Sequence, residues 1–365
     1  MKFTRRDMLA AGLSMAAVPS AGAAQEPLAE GSSPMIGGVA MRVGSSGVAG
    51  MVLAGTVRAG SSRAVGPTDR WHIGSNTKAM TAALYARLVD AGLCRWGATP
   101  AMLFPDIDVN PAWGAVTVEQ IMGHLAGIDD SLIDGPWLRT RHADVRPVSA
   151  QRTEFVRAIL TRPPAGRVGA YAYGNANYLL LGTAIERATG SSWEAAMARQ
   201  FFVPLGMTAS GFGAPPGDGP WGHAAGSSGP IPIDPRGIAD NPAVLGPAGR
   251  VNVTMGDYAR FLALFLNGGR PLISSGSMTH LLAPSGPGAA YAGGWALSAA
   301  GDATAGLPIL THEGSNTFWY AITVIDRNRG IADAAVVNEA GERGRKAALS
   351  MLRLVRGAPA KPGTS

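Results

Sequence analysis

Cysteine is almost missing from this 365-residue chain, with Cys94 standing alone. One thiol excludes an intrachain disulfide and leaves a cysteine-based metal centre without ligands, so Cys94 reads as a small buried hydrophobe. Lysine is nearly as scarce: of 31 basic residues only Lys2, Lys78, Lys346 and Lys361 are lysines. The six histidines form neither H-x-H nor H-E-x-x-H, so the usual zinc-enzyme signatures are missing and neither metal nor cofactor is expected. No G-x-S-x-G occurs, which removes the α/β-hydrolase route to a serine nucleophile. No internal repeat is visible. No basic cluster is interleaved with aromatics, so the formal charge of +6 does not describe a nucleic-acid surface.

What is present begins with an address. Lys2, Arg5 and Arg6 precede the apolar run Met8 to Val18, and Ala21-Gly22-Ala23 supplies small residues for cleavage, the three regions of a secretory signal over residues 1–24. Thr4-Arg5-Arg6-Asp7-Met8-Leu9 resembles the signal read by the twin-arginine export machinery, which is the expected partner. Removing Lys2, Arg5, Arg6 and Asp7 takes away +3 − 1 = +2, leaving +4 on the mature chain. The expected cleavage site has no cysteine near it, which argues against a lipoprotein. Beyond residue 24 no apolar run spans a bilayer, so a soluble periplasmic or secreted protein is expected.

About 340 mature residues exceed what one core usually holds. Gly38 to Val43 and Gly50 to Ala59 read as strands near the start, and Gly294 to Ser298, Pro308 to His312, Phe318 to Asp326 and Ile331 to Asn338 as strands near the end. Between them helical spacing dominates. Leu179 to Ala188 runs to a stop at Gly190, Ser191 and Glu194 form an S-x-x-E box, and Thr254 to Asp257 cap a helix reaching Leu266. The pattern is an α+β fold with an antiparallel sheet assembled from both termini. It divides the chain into a sheet domain (25–75 and 245–357), a mainly helical domain (76–244) and a disordered tail (358–365). Residues 213–249 carry eight prolines, the composition of an active-site loop or a linker, and Trp221 and His223 within them more often pack than line a cleft.

The stretch His72-Ile73-Gly74-Ser75-Asn76-Thr77-Lys78 concentrates the chemistry. From Asn76 the residues Met80, Ala83, Leu84 and Leu88 recur at helical spacing, so Ser75 sits at a helix N-terminus, where unpaired N–H groups and the positive dipole end favour an alkoxide or oxyanion. Lys78, one turn on, shares its face. In a chain that writes arginine nearly everywhere, a lysine here is notable, because only lysine can give up its proton and act as a base. The plainer reading makes Ser75 a cap and Lys78 a solvated residue, and S-x-x-K alone is short enough to arise by chance.

Two further stretches shift the balance. Tyr171 to Tyr178, reading YAYGNANY, holds a phenol and an amide just before a helix, and the strand at Pro308 to Gly314 ends in His312-Glu313-Gly314. Alternation puts His312 and Gly314 on one face and Glu313 on the other, and a glycine there allows close approach to the backbone.

S-x-x-K, Y-x-N and H-x-G in this order resemble the three motifs of the serine β-lactamase and penicillin-recognising superfamily. The resemblance is strongest to the branch of class C β-lactamases, D-alanyl-D-alanine carboxypeptidases and related esterases. His124-Leu125-Ala126-Gly127, Pro204-Leu205-Gly206-Met207, Pro247-Ala248-Gly249 and Asn267-Gly268-Gly269 extend it over nearly all the mature chain. It implies that Ser75 is the acylated nucleophile, Lys78 its proton acceptor, Tyr173 a proton shuttle, and Asn175 the amide that orients Lys78 and the substrate. His312 and Gly314 occupy the third motif, and the backbone N–H groups of Ser75 and Ser315 match an oxyanion hole. The implied reaction is hydrolysis of an ester, amide or β-lactam, with a small or peptidoglycan-like substrate. A catalytically weak periplasmic penicillin-binding or regulatory protein of the same fold is the alternative.

The departures bear on substrate. His312 stands where class C β-lactamases carry lysine, as in carboxypeptidases, D-aminopeptidases and esterases of this fold. His124-Leu125-Ala126-Gly127 lacks the hydroxyls of the usual H-T-S-G, Arg250 follows Gly249 where a second glycine is common, and Glu313 replaces a small residue.

Overall fold

The computed structural model describes residues 36–286, 288–298 and 306–357. The export segment expected at 1–24 and the tail at 358–365 lie outside the described residues.

In chain order the elements are β1 (Gly37–Gly44), β2 (Gly47–Gly55), β3 (Arg70–His72) and helix α1 (Thr77–Asp90). Then come α2 (Val148–Leu160), α3 (Asn175–Thr189), β4 (Val251–Thr254) and α4 (Met255–Leu266). Strands β5 (Tyr291–Ala292), β6 (Trp295–Ser298), β7 (Ile309–Ser315), β8 (Tyr320–Asp326) and β9 (Ile331–Val337) precede α5 (Gly341–Gly357). Seven strands form one antiparallel sheet in the order β2-β1-β9-β8-β7-β6-β5. Its seam lies between β1 and β9, where Met41 faces Ala334, so both ends of the chain close the sheet and the α+β reading holds.

The residues of β1 explain why it is central. Val39, Met41 and Val43 point into the main core, while Ala40 points the other way, to a second cluster formed with Ala348, Met351, Leu352 and Val355 of α5. Covered on both faces, β1 is apolar almost throughout rather than alternating. Arg42 on the α5 side meets Asp333 at 2.8 Å, and Asp333 also accepts from Arg356 of α5 at 2.8 Å, a polar seal at the edge of that contact. The main cluster runs without a break from β1 through α1 and α3 to α4. Helix α1 is its axis: eleven of its fourteen residues are buried, the mark of a helix enclosed on all sides.

Some local expectations need correcting. The second strand is Gly47–Gly55, not Gly50 to Ala59, because Gly55 turns into the left-handed region (φ +74°) and ends the ladder. Ser192, not Ser191, caps the helix Trp193–Met197 by accepting from Ala195 N–H at 3.2 Å. Glu194 is unavailable for a capping box because its carboxylate takes the guanidinium of fully buried Arg152 at 2.6 Å, alongside Glu186 at 2.6 Å. Cys94 is only partly buried, though burial still pushes its thiol up to about 12. Thr254 does cap α4, accepting from Asp257 N–H at 3.2 Å.

Candidate active site

Ser75 lies in a single 3₁₀ turn, Gly74–Asn76, set between β3 and α1. Gly74 has φ +52°, and a Cβ added to it would stand 2.5 Å from the Ser315 nitrogen. A Cβ on Gly314 would likewise stand 2.7 Å from the Ser75 nitrogen and 2.3 Å from the Ile73 oxygen. Only two glycines let the end of β7 lie against this turn. The approach sets the backbone at Gly314 and Ser315 directly against that of Gly74 and Ser75.

Lys78 is fully buried, and its amine has three neighbours: Ser75 Oγ at 3.1 Å, Asn175 Oδ1 at 2.8 Å and the Ala248 carbonyl at 2.8 Å. Asn175 is oriented by Asp130, whose Oδ2 accepts from Asn175 Nδ2 at 3.0 Å and from its backbone N–H at 2.9 Å. The amide oxygen is thereby aimed at Lys78. Because the Asn175 and Ala248 oxygens can only accept, a neutral Lys78 spends both N–H bonds on them and turns its lone pair toward the Ser75 hydroxyl. Burial lowers the Lys78 pKa to about 7, with the Asp130 charge pulling the other way. The free amine is therefore abundant near neutral pH.

Tyr173 approaches from the loop before α3, its ring 4.9 Å from the Lys78 amine. Its hydroxyl is buried without a well-aligned partner among the described residues, and burial raises its pKa while the nearby Ser75 hydroxyl lowers it. The phenol stays protonated. His312 is buried, with Nε2 2.9 Å from the Tyr291 hydroxyl. Burial, and then the Lys78 charge, lower its pKa to about 3, so the third motif presents a neutral imidazole. Glu313, on the other face of β7, binds Arg345 at 3.2 Å and the Tyr320 hydroxyl.

His124, at the strained φ of 60°, completes this wall. Its carbonyl accepts from Ala172 N–H at 2.9 Å and its ring packs 4.6 Å from Tyr173 and 4.7 Å from Tyr291, which steadies the loop bearing Tyr173.

Residues 213–249 contribute differently from their composition. Trp221 packs under Arg58, 4.4 Å from its guanidinium, and buried His223 bonds Ala59 N–H at 3.0 Å and the Asn338 carbonyl at 2.6 Å. Both are packing residues. The segment instead delivers the Ala248 carbonyl to Lys78 and Asp240 to Arg250 and His72. Asp130, Tyr291 and Asp240 lie outside the motifs, and His72 and Ala248 lie inside them, in the nucleophile stretch and in Pro247-Ala248-Gly249, without a role that the motifs reveal. Asp130 has a signal, an acid in the loop that follows His124-Leu125-Ala126-Gly127, whereas Ala248 acts through its backbone, so Pro247-Ala248-Gly249 marks the place without showing the contact.

An antiparallel sheet closed by β1 and β9, with a serine and a buried lysine where a core helix meets the sheet, defines a class: the β-lactamase-like fold. The chain belongs to the Beta-lactamase family, whose family model matches residues 33–356. It is 30% identical over 241 residues to penicillin-binding protein 4 of Amycolatopsis lactamdurans, covering 64% of this chain and 60% of that protein. The chain thus spans about three fifths of that relative's length. Among solved structures, the octameric penicillin-binding protein homologue from Pyrococcus abyssi superposes with a TM-score of 0.70 at 22% identity, over 88% of this chain and 74% of that one. D-amino acid amidase from Ochrobactrum anthropi SV3 gives 0.68 at 18% identity, over 88% and 93%. At such identities these two structures show the shared fold.

Proposed function

We propose that this protein is an exported serine hydrolase that forms an acyl-enzyme on Ser75 and cleaves an ester or amide bearing no carboxylate beside the third motif. The observation that carries the reading is the Lys78 amine, held by two pure acceptors with its remaining orbital on Ser75 Oγ. Lys78 takes the serine proton as Oγ attacks the carbonyl. The Ser75 and Ser315 N–H groups receive the oxyanion, a device worth roughly 10²- to 10³-fold per donor. The tetrahedral intermediate collapses as the protonated Tyr173 hydroxyl gives its proton to the leaving group and is reprotonated from Lys78. Water then attacks the acyl-enzyme ester as its proton passes through the Tyr173 hydroxyl to the neutral Lys78 amine, and Ser75 Oγ leaves with the proton that Lys78 returns.

Neutral His312 supports the substrate class: a carboxylate placed there would find no cation, whereas an uncharged group meets an imidazole and aromatic rings. Fluorophosphonate labelling, with Ser75→Ala as control, tests the nucleophile. A screen of p-nitrophenyl esters, D-amino-acid amides, nitrocefin and D-alanyl-D-alanine peptides tests the substrate; preference for the carboxylate-bearing members would overturn that part. Export rests on the Arg5-Arg6 pair, and among the described residues no helix is long and apolar enough to cross a membrane. Changing both arginines to lysine is expected to hold the precursor in the cytoplasm, and normal periplasmic yield would remove the twin-arginine assignment.

A further inference from the structure

The reaction just proposed does not use His72, yet His72 is fully buried directly behind the nucleophile turn. Its Nδ1 accepts from Gly74 N–H at 3.1 Å, and its Nε2 stands 3.0 Å from Asp240 Oδ2. A backbone N–H can only donate, so Nδ1 holds the lone pair and Nε2 carries the proton that Asp240 receives. The tautomer is fixed by the fold. Asp240 is buried as well, and its Oδ1 accepts from Asn316 Nδ2 at 2.9 Å and from Asn241 N–H at 2.8 Å, while Arg250 Nε reaches Oδ2 at 3.1 Å.

Asn316 directly follows Ser315. Its Oδ1 shapes the turn out of β7 by accepting from Phe318 N–H at 3.2 Å and Trp319 N–H at 3.3 Å. Trp319 in turn stacks on the His72 ring, 5.6 Å between centroids and 25° between planes. An unbroken chain of hydrogen bonds, Gly74 to His72 to Asp240 to Asn316, therefore joins the residue before Ser75 to the residue after Ser315. Those two serines carry the paired N–H groups.

We propose that His72 and Asp240 are positioning residues for the oxyanion hole, clamping the nucleophile turn to the end of β7 so that the Ser75 and Ser315 N–H groups converge on one oxygen. The role rests on the acyl-enzyme reading of Ser75. A buried carboxylate saturated by four donors is a rigid node, and a hole made of two backbone groups on separate segments loses much of its effect once they drift by roughly 0.5 Å. The glycine contacts alone press the segments together; the His72–Asp240 chain sets their register.

The test compares hydrolysis of a p-nitrophenyl ester with its thionoester, in which a larger, weaker acceptor replaces the carbonyl oxygen. A tight hole rejects sulfur, and a loosened one rejects it less. His72→Phe keeps a ring on Trp319 and removes both nitrogens. It is expected to lower kcat for the oxoester by roughly 10- to 100-fold with KM within about twofold, and to narrow the oxoester-to-thionoester ratio by about tenfold. Should that variant fail to fold, Asn316→Ser carries the same prediction, since serine can still cap the turn but cannot reach Asp240. A folded variant in which both substrates slow equally, leaving the ratio unchanged, overturns the positioning role while turnover abolished by Ser75→Ala leaves the acyl-enzyme reading standing. Wild-type turnover that survives Ser75→Ala overturns both.

Discussion

The two walls of the site are built to different standards. On the α1 side the groups around the lysine are matched: Lys78 has three partners, Asn175 is fixed by Asp130, and Asp130 also accepts from Ala176 N–H at 2.9 Å at the start of α3. On the aromatic side, His124 Nε2 is buried without a hydrogen-bond partner among the described residues, and Tyr173 Oη and His312 Nδ1 have no well-aligned one. An unsatisfied buried polar atom costs about 1–3 kcal/mol, so such groups gain from any polar partner that enters. The first wall holds a reactive group in one geometry. The second keeps its hydrogen-bonding capacity for whatever enters, and the difference separates chemistry from recognition.

If that division is right, the largest effects come from the satisfied wall. Lys78→Arg keeps the charge and the stem and matches the composition of the chain, yet a guanidinium cannot accept the Ser75 proton. Covalent labelling at Ser75, followed by mass spectrometry, should fall by at least roughly 10³-fold with the fold confirmed by a thermal melt. An undiminished rate in folded protein would dissolve the distinction. Tyr173→Phe stands at the boundary, because its hydroxyl is unsatisfied but serves the chemistry. It should cost about 10²- to 10⁴-fold in turnover with little change in stability, and near-wild-type turnover would move Tyr173 to the recognition side.

Asp130 comes next and has a pH signature. Acylation by the wild type should rise with pH through about 7 as Lys78 loses its proton. Tyr173, held protonated by burial, does not titrate on the way. The Asp130 charge favours the ammonium form of Lys78, so Asp130→Asn lowers the lysine pKa further and the acid limb should move to lower pH. The same change turns an N–H toward the amide of Asn175, and a drop of about tenfold on the plateau is expected. A limb that moves upward would remove Asp130 from the Lys78 environment.

The two walls also differ in how far the sequence revealed them. Ser75 and Lys78 were legible because helical spacing and the scarcity of lysine point to the same pair, and the sheet because its strands alternate or, like β1, run apolar. Ala348, Met351, Leu352 and Val355 stand at helical spacing in the sequence, and all four are buried on one face of α5. The capping residue was misplaced by one position because Ser191 and Ser192 are chemically equivalent in the sequence. Only the competition of Arg152 for Glu194 separates them. The pairings of His72 with Asp240 and of Tyr291 with His312 were illegible for a different reason: the partners lie 168 and 21 residues apart along the chain, and no local period encodes such a meeting.

The smallest effect belongs to Tyr291. Its hydroxyl meets His312 Nε2 at 2.9 Å and its ring packs against His124 at 4.7 Å, so Tyr291→Phe removes one hydrogen bond and leaves the aromatic wall standing. Nothing in the Ser75–Lys78–Asn175 set touches that hydroxyl. If the wall only recognises substrate, kcat should stay within about twofold while KM rises several-fold, equivalent to about 1 kcal/mol for the freed imidazole losing its orientation. Steady-state kinetics on the preferred ester, with a thermal melt beside it, separates the possibilities. A fall in kcat at constant KM would mean that the third-motif histidine acts on the transition state, and the aromatic wall would then belong to the chemistry as much as the lysine does.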